Sequence, residues 1–172
     1  MAADHREVTT LLLAWCLAIL LAGPVVLLVH ELGHAVAALA LTHGPVIVQT
    51  GRRSLLTLRL GRLTLALGPG GLQAGACWHL APDTQRREAV IAAAGPLAST
   101  ITAAIAGGAC LALAPPRTAG LALAALAVLA ALDAIGNLIP LLHPARRTVT
   151  GAPQESDGRI VARCLGLGFA AR

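Results

Sequence analysis

The chain has 172 residues, of which 56% are hydrophobic and only 12% charged. This apolar surplus exceeds what a small soluble core needs, so the length and composition predict a single domain, residues 1–172, in a lipid bilayer. The net charge of +5 comes from 13 arginines and no lysine, and aromatic residues make up 2%, so the chain lacks the stacking platform of a nucleic-acid-binding protein.

The first apolar segment covers residues 8–42 and is interrupted only by Gly23-Pro24. As one helix it would be about 50 Å long, well beyond a hydrocarbon core of about 30 Å. Two versions stay open: one long helix kinked at Pro24, or a short separate segment at residues 9–22 followed by a helix with Pro24 in its first turn. Residues 11–22 look like the apolar part of a signal peptide, but the apolar run continues past them, which favours an uncleaved anchor.

Inside this segment lies the motif His30-Glu31-Leu32-Gly33-His34. Ionisable groups at membrane depth are rare and indicate a functional site. On a helix, residues i and i+4 lie on one face about one turn apart, so both imidazoles can bind one metal ion. Glu31 lies beside them, placed to act on a water molecule rather than to bind the metal, as in HExxH metalloproteases.

Residues 43–87 change character and predict a β-hairpin. Residues 54–60 and 63–68 alternate strictly, and Gly61-Arg62 between them fits a two-residue turn. The leucines of both strands then share one face: Leu56, Leu58, Leu60, Leu63, Leu65 and Leu67. Two interpretations stay open, a plain surface hairpin or a strand edge near the metal that pairs with an extended substrate backbone.

A second apolar span is predicted at residues 88–114, with Asp83 as the expected N-cap of its helix. It contains Ala94-Gly95-Pro96, where small residues let a neighbouring helix approach closely.

A third span is predicted at residues 118–142 and carries Asp133 and Asn137, polar side chains expected to face the inside of the bundle. Residues 143–172 follow as a polar loop and a short helix-like tail. The predicted fold is therefore an α-helical membrane protein with three core transmembrane helices and a β-hairpin insertion after the first. A fourth short segment is added if residues 9–22 are separate.

Arginine placement predicts the topology. Six arginines lie in residues 43–87 and five in residues 143–172, against Arg6 and Arg117 elsewhere. By the positive-inside rule, we expect a multi-pass protein of the cell membrane whose 43–87 loop and C-terminus are cytoplasmic.

A catalytic zinc site needs three protein ligands and an open position. The spacing supplies two, and the residues alone leave the third open among Glu88, Asp133 and Asp157. Glu88 lies at the edge of the second span beside Arg86 and Arg87, where a solvated ion pair explains it well.

The motifs resemble the site-2 protease family of intramembrane zinc metalloproteases, in the small prokaryotic form without a PDZ domain. The matching residues are HELGH in an apolar helix, Ala94-Gly95-Pro96 in the next span, and Asn137-Leu138-Ile139-Pro140 leading to Asp157-Gly158. The resemblance covers residues 24–160. The chain departs from the family pattern in the longer loop 141–156 and in Ser99, where the family often has asparagine.

The resemblance implies one Zn²⁺ per chain, held by His30, His34 and Asp157. It implies Glu31 as the general base, and Asn137 as a residue that holds the substrate backbone or stabilises the oxyanion. It further implies an endopeptidase that cleaves within or near a transmembrane segment of a membrane-tethered substrate, such as a single-span protein or a signal-peptide remnant.

Two other function classes stay open: a zinc-binding membrane scaffold or regulator without turnover, and a small transporter. The intact Glu31 argues against the first, because a structural zinc site is four-coordinate and needs no base. The lack of an internal repeat argues against the second.

Overall fold

The structure, a computed structural model, describes residues 2–51, 53–69, 75–139, 146–147 and 153–167. Three long helices dominate this part of the chain: α1 (Ala2–Leu41), α2 (Gln85–Leu113) and α3 (Arg117–Leu138). They pack pairwise against one another, and each is long and apolar enough to cross a membrane. This confirms three long apolar helices where the sequence predicted spans, and their length and composition suggest association with a membrane.

The first helix runs without a break through Pro24. A proline inside a helix removes one backbone hydrogen bond, but the residues on both sides of it can remain helical. Residues 9–22 are therefore part of α1, and the version with one long helix is correct.

Four short strands follow α1: β1 (Val46–Thr50), β2 (Leu56–Leu60), β3 (Leu63–Leu67) and β4 (Gly75–Trp78). They form a sheet in the order β2-β3-β1-β4. β2 and β3 pair antiparallel around Gly61-Arg62, with Leu58 opposite Leu65, which confirms the predicted hairpin and its register. The sequence did not predict β1, which pairs parallel to β3, or β4, which pairs antiparallel to β1.

The sheet sits on the C-terminal half of α1. Val46 and Val48 of β1 are completely buried and pack with Ala35 and Ala38 of α1 and Ile91 of α2. Because Ala35 and Ala38 are small, they leave room for the sheet against α1, and β4 also lies against this helix.

The second helix begins at Gln85, and its N-cap is Thr84 rather than Asp83. Thr84 has extended backbone angles and accepts a hydrogen bond from the Arg87 amide at 3.3 Å. The prediction of Asp83 as the cap was wrong by one residue, because its carboxylate instead pairs with the Arg87 guanidinium at 2.5 Å.

The third helix ends at Leu138, four residues before the predicted boundary of 142. Ile139 is extended, as expected for a residue that precedes a proline, since the proline ring disfavours the helical conformation there. Pro140 itself, part of the quoted motif, lies outside the described residues. Beyond it come a short strand pair, β5 (Arg146–Arg147) and β6 (Pro153–Gln154), and a last helix, α4 (Asp157–Cys164). α4 packs mainly against α2 and also contacts α3.

Arg62 in the hairpin turn closes the C-terminal end of α1. Its Nη1 donates to the Thr42 carbonyl at 2.7 Å, and its Nη2 donates to the Leu39 carbonyl. The last carbonyls of a helix have no partner within it, and α1 has no basic residue in its own last turn. The guanidinium therefore ties the hairpin to the helix that carries the histidines.

We expect Arg62→Ala to destabilise the protein by about 1 kcal/mol, because it leaves these carbonyls without a charged donor. Thermal unfolding of the detergent-purified protein measures the effect. Arg59→Ala is the matched control, since Arg59 lies on β2 of the same hairpin and is exposed. Equal destabilisation by both variants would contradict the role assigned to Arg62.

Candidate metal centre

The three ionisable residues of the α1 motif are buried. His30, Glu31 and His34 are 4%, 7% and 8% exposed, in a helix long enough to span a membrane. Charged or polar groups in such a place need partners that compensate for lost hydration.

Both imidazoles converge on Asp157, the first residue of α4. The two Nε2 atoms of His30 and His34 lie 3.1 Å apart, and Asp157 Oδ2 lies 3.1 Å from His30 Nε2 and 3.4 Å from His34 Nε2. Two ligands bound to zinc at about 2.0–2.1 Å with tetrahedral geometry are roughly 3.3 Å apart. The three donor atoms therefore fit the spacing of ligands around one metal ion, and this group could hold one.

The outer nitrogens fix the orientation of both rings. His34 Nδ1 donates to the Ile91 carbonyl at 2.7 Å, and His30 Nδ1 donates to Asp133 Oδ2 at 2.6 Å. Since a carbonyl and a carboxylate can only accept, the hydrogen lies on Nδ1 in each ring. The Nε2 lone pairs then point at each other and at Asp157, which is the tautomer that metal-binding histidines use.

Among the three acids left open for the third position, the structure brings Asp157 to the Nε2 side. Asp133 lies on the opposite side of His30, against Nδ1. Glu88 forms an ion pair, as expected, but with Arg163 of α4 at 3.0 Å rather than with its neighbours in sequence.

Two glycines make room for the centre. A Cβ on Gly95 of α2 would overlap the His34 ring and lie 2.8 Å from His30 Nε2, so the imidazoles occupy the space that a side chain would take. A Cβ on Gly158 would overlap the Leu138 carbonyl at the end of α3. Both glycines thus permit a close approach that the centre requires.

Asp157 is held in place by the docking of α4. Arg163, two turns further along α4, contacts Glu88 of α2 at 3.0 Å and Glu155 at 3.1 Å. These pairs are about half exposed, and such ion pairs contribute about 0–1 kcal/mol each. The fit of Gly158 against α3 and the packing of α4 on α2 therefore fix the carboxylate more firmly than the ion pairs do.

The environment of Asp157 favours its charged form. Burial raises the pKa of this carboxyl, but hydrogen bonds from the imidazoles of His30 and His34 in their protonated form outweigh burial, and its pKa lies below the usual value. Asp157 is therefore an anion, as a metal ligand must be.

Glu31 faces β4 on one side and the donor group on the other. A Cβ on Gly75 of β4 would lie 2.6 Å from Glu31 Oε1, so β4 passes directly over this carboxylate. On its other side, Glu31 lies within electrostatic range of His34, His30, Asp157 and Asp133. The strand next to the site is thus β4, and two strands separate it from β2 of the predicted hairpin.

Cys77 of β4 lies within electrostatic range of this carboxylate. Burial, followed by the charge of Glu31, raises the pKa of the Cys77 thiol to about 12. The thiol stays protonated at neutral pH, and Cys77 packs against the hydrophobic cluster around Val46 and Val48 rather than acting as a nucleophile.

Asn137 lies one turn after Asp133 on α3 and donates to it. Its Nδ2 is 3.1 Å from Asp133 Oδ1 and 3.0 Å from the Asp133 carbonyl. The structure thus places Asn137 behind His30 and not among the three metal-facing atoms.

Sequence reasoning missed three parts of this arrangement: Asp133 as the partner of His30 Nδ1, the Ile91 carbonyl as the partner of His34, and β4 beside Glu31. The spacing of Asp133 and Asn137, four residues apart, was a visible signal that they share a helix face. The Ile91 carbonyl and the short strand β4 could not be predicted, because no side chain in the sequence indicates either of them.

The fold and the donor group define a mainly helical protein with three helices long and apolar enough to cross a membrane and a buried His-His-Asp group that could hold a metal ion. No family model matches the chain, and neither a curated protein nor a solved structure matches it.

We expect Gly95→Ala to weaken metal binding by about tenfold or more, because the new methyl group displaces the imidazoles from their common point. Zinc affinity of the purified protein, measured against a chelator of known affinity, tests this.

Gly108→Ala is the matched control on the same helix, where a Cβ meets no atom within 4 Å. It should leave the affinity unchanged. Unchanged affinity in Gly95→Ala as well would contradict the position assigned to the metal.

Proposed function

We propose that this protein is a zinc-dependent intramembrane endopeptidase of the site-2 protease type. The observation that carries the proposal is the convergence of His30 Nε2, His34 Nε2 and Asp157 Oδ2, with the Glu31 carboxylate buried beside them. HExxH hydrolases of this kind hold their metal ion with two imidazoles and one carboxylate, and a glutamate lies next to one of the histidine ligands.

The residues present fit zinc in number, type and spacing. His30, His34 and Asp157 would hold the ion, and three protein ligands leave a position open for substrate or water. When bound, a zinc ion supplies Lewis-acid chemistry that polarises a carbonyl and makes water more acidic.

Glu31 supplies the proton transfer that peptide hydrolysis needs. Its carboxylate takes a proton from the attacking water, whose oxygen adds to the scissile carbonyl carbon. The carbon–nitrogen bond then breaks, and the amine leaves with the proton that Glu31 returns. Burial of Glu31 excludes competing water and keeps the carboxylate close to the donor group.

The sheet offers a place to hold the substrate in the extended form that hydrolysis requires. In the described part of the chain, β4 pairs only with β1, so its second edge is open to a further strand, while its face at Gly75 lies over Glu31. An extended peptide can add to such an edge as a further strand. This assigns to β4 the substrate role that the sequence suggested for the hairpin.

The substrate class follows from the position of the site. A centre within a membrane-spanning helix is reached most directly by a peptide that is itself anchored in the bilayer, so we propose a membrane-tethered substrate. The arginine distribution supports a cytoplasmic location for the 43–87 loop and the C-terminus.

The donor set also favours an enzyme over a zinc-binding scaffold. A structural zinc site closes its coordination with four protein ligands. Among the described residues, the group contains three donors and a separate buried glutamate. A scaffold would have no use for that glutamate.

We expect Glu31→Gln to retain zinc while reducing cleavage by about 10²–10⁴-fold, because the amide cannot take a proton from water. The assay incubates the purified protein, in detergent, with single-span membrane proteins and follows the products by mass.

Glu7→Gln is the matched control, because Glu7 pairs with Arg117 on the surface. It should cleave at the wild-type rate. Cleavage by Glu31→Gln at the wild-type rate would rule out Glu31 as the base, and absence of cleavage by the wild type on every such substrate would count against the protease.

A further inference from the structure

A second polar cluster lies behind His30, and the proposed reaction does not use it. It consists of Asp133, Ser99 and Asn137. Asp133 Oδ2 is 2.6 Å from His30 Nδ1 and accepts a hydrogen bond from Ser99 Oγ at 2.6 Å. Asp133 Oδ1 accepts from Asn137 Nδ2 at 3.1 Å. The donors belong to α1, α2 and α3, so one carboxylate joins all three long helices.

Burying such a polar cluster in an apolar bundle costs free energy. The Asp133 side chain is 19% exposed and Ser99 is completely buried. Burying a carboxylate is unfavourable unless donors replace its hydration, and here both oxygens have donors. A leucine or alanine in place of Asp133 would serve helix packing without this cost, so packing alone does not explain the cluster.

The hydrogen bonds of Asn137 limit which other groups its side-chain amide can donate to. Its amide group has two hydrogens, and two acceptors are in reach of Nδ2: the Asp133 carbonyl at 3.0 Å and Asp133 Oδ1 at 3.1 Å. Both hydrogens are thus used within α3. An amide in this position has no hydrogen left to donate to an oxyanion or a substrate carbonyl.

We propose that Asp133 is a positioning residue for His30, and that Asn137 and Ser99 act on the metal centre through Asp133. The inference rests on the proposed metal site. Asp133 fixes the hydrogen on His30 Nδ1 and the plane of the ring, which directs the Nε2 lone pair towards His34 and Asp157. Together with Asp157, its negative charge also balances a divalent cation in surroundings of low dielectric constant.

Metal affinity tests the proposal without any need for a substrate. The full-length protein is purified in detergent, and its zinc affinity is measured by competition with a chelator. We expect Asp133→Ala to lower the affinity about 10- to 100-fold and Ser99→Ala to lower it about two- to tenfold. Asp133→Asn keeps the shape and one acceptor oxygen, so its affinity should lie between that of Asp133→Ala and the wild type.

Thr102→Val is the matched control for Ser99→Ala. Thr102 lies on the same helix, and among the described residues its hydroxyl bonds only to the Ala98 carbonyl of that helix, at 2.9 Å. Its zinc affinity should equal that of the wild type. A loss as large as that of Ser99→Ala would show that any lost hydroxyl in α2 weakens the site, and would overturn the role of Ser99.

A double-mutant cycle distinguishes positioning from direct action. If Asn137 acts through Asp133, Asn137→Leu lowers zinc affinity in the wild type but has no further effect in Asp133→Ala. If the two losses add, Asn137 acts independently and the proposal is wrong. The visible absorption bands of the Co²⁺-loaded protein should shift in Asp133→Ala and remain unchanged in Thr102→Val, because the bands report the geometry of the ligands and not overall stability.

The outcomes separate this inference from the proposed function. If the wild type binds zinc and Asp133→Ala and Asp133→Asn bind it equally well, the inference is overturned while the metal site stands. If the wild type binds no zinc, both are overturned. Loss of cleavage without a change in affinity would show that Asp133 acts on the reaction and not on His30, which also contradicts the inference.

Discussion

The structure depends on three acceptor atoms held 3.1–3.4 Å apart inside an apolar bundle: His30 Nε2, His34 Nε2 and Asp157 Oδ2. Because both Nδ1 atoms donate outwards, two nitrogen lone pairs and a carboxylate face one another, and they repel unless a cation lies between them. A divalent metal ion satisfies all three at once. The surrounding features are explained by the same requirement: Gly95 leaves space for the rings, and Gly158 lets α4 reach the end of α3.

Polar groups are tolerated in this bundle because they form one connected set. Asp133, Ser99 and Asn137 compensate one another behind His30, while the Ile91 carbonyl compensates His34. In an apolar medium an unpaired donor or acceptor costs more than a hydrogen bond gains, so such sets are either complete or unfavourable. Asp157 faces the metal position and Asp133 bonds to His30, so Glu31 is the carboxylate of the described centre that is available for proton transfer. Strand β4 covers it.

The parts of the site that the sequence predicted are local. The spacing of four residues from His30 to His34 puts both on one face of any helix, and the alternation around Gly61-Arg62 predicts the hairpin. The choice between Asp133 and Asp157 was not local, because it depends on which ring nitrogen each carboxylate meets, and this follows from how α3 and α4 pack. The sequence also gave no sign of β1 and β4, since a parallel pair joins distant residues and a strand such as Gly75–Trp78 is too short to show a pattern. The end of α3 at Leu138 could have been predicted, because a proline follows two residues later and disfavours the helical conformation at the residue before it.

The ligand set is the central claim, and X-ray absorption at the zinc edge of the metal-loaded protein tests it most directly. The spectrum should show nitrogen and oxygen neighbours at about 2.0–2.1 Å, with the outer-shell scattering of two imidazole rings and no sulfur. Sulfur neighbours, or the scattering of fewer than two imidazoles, would contradict a centre built from His30, His34 and Asp157.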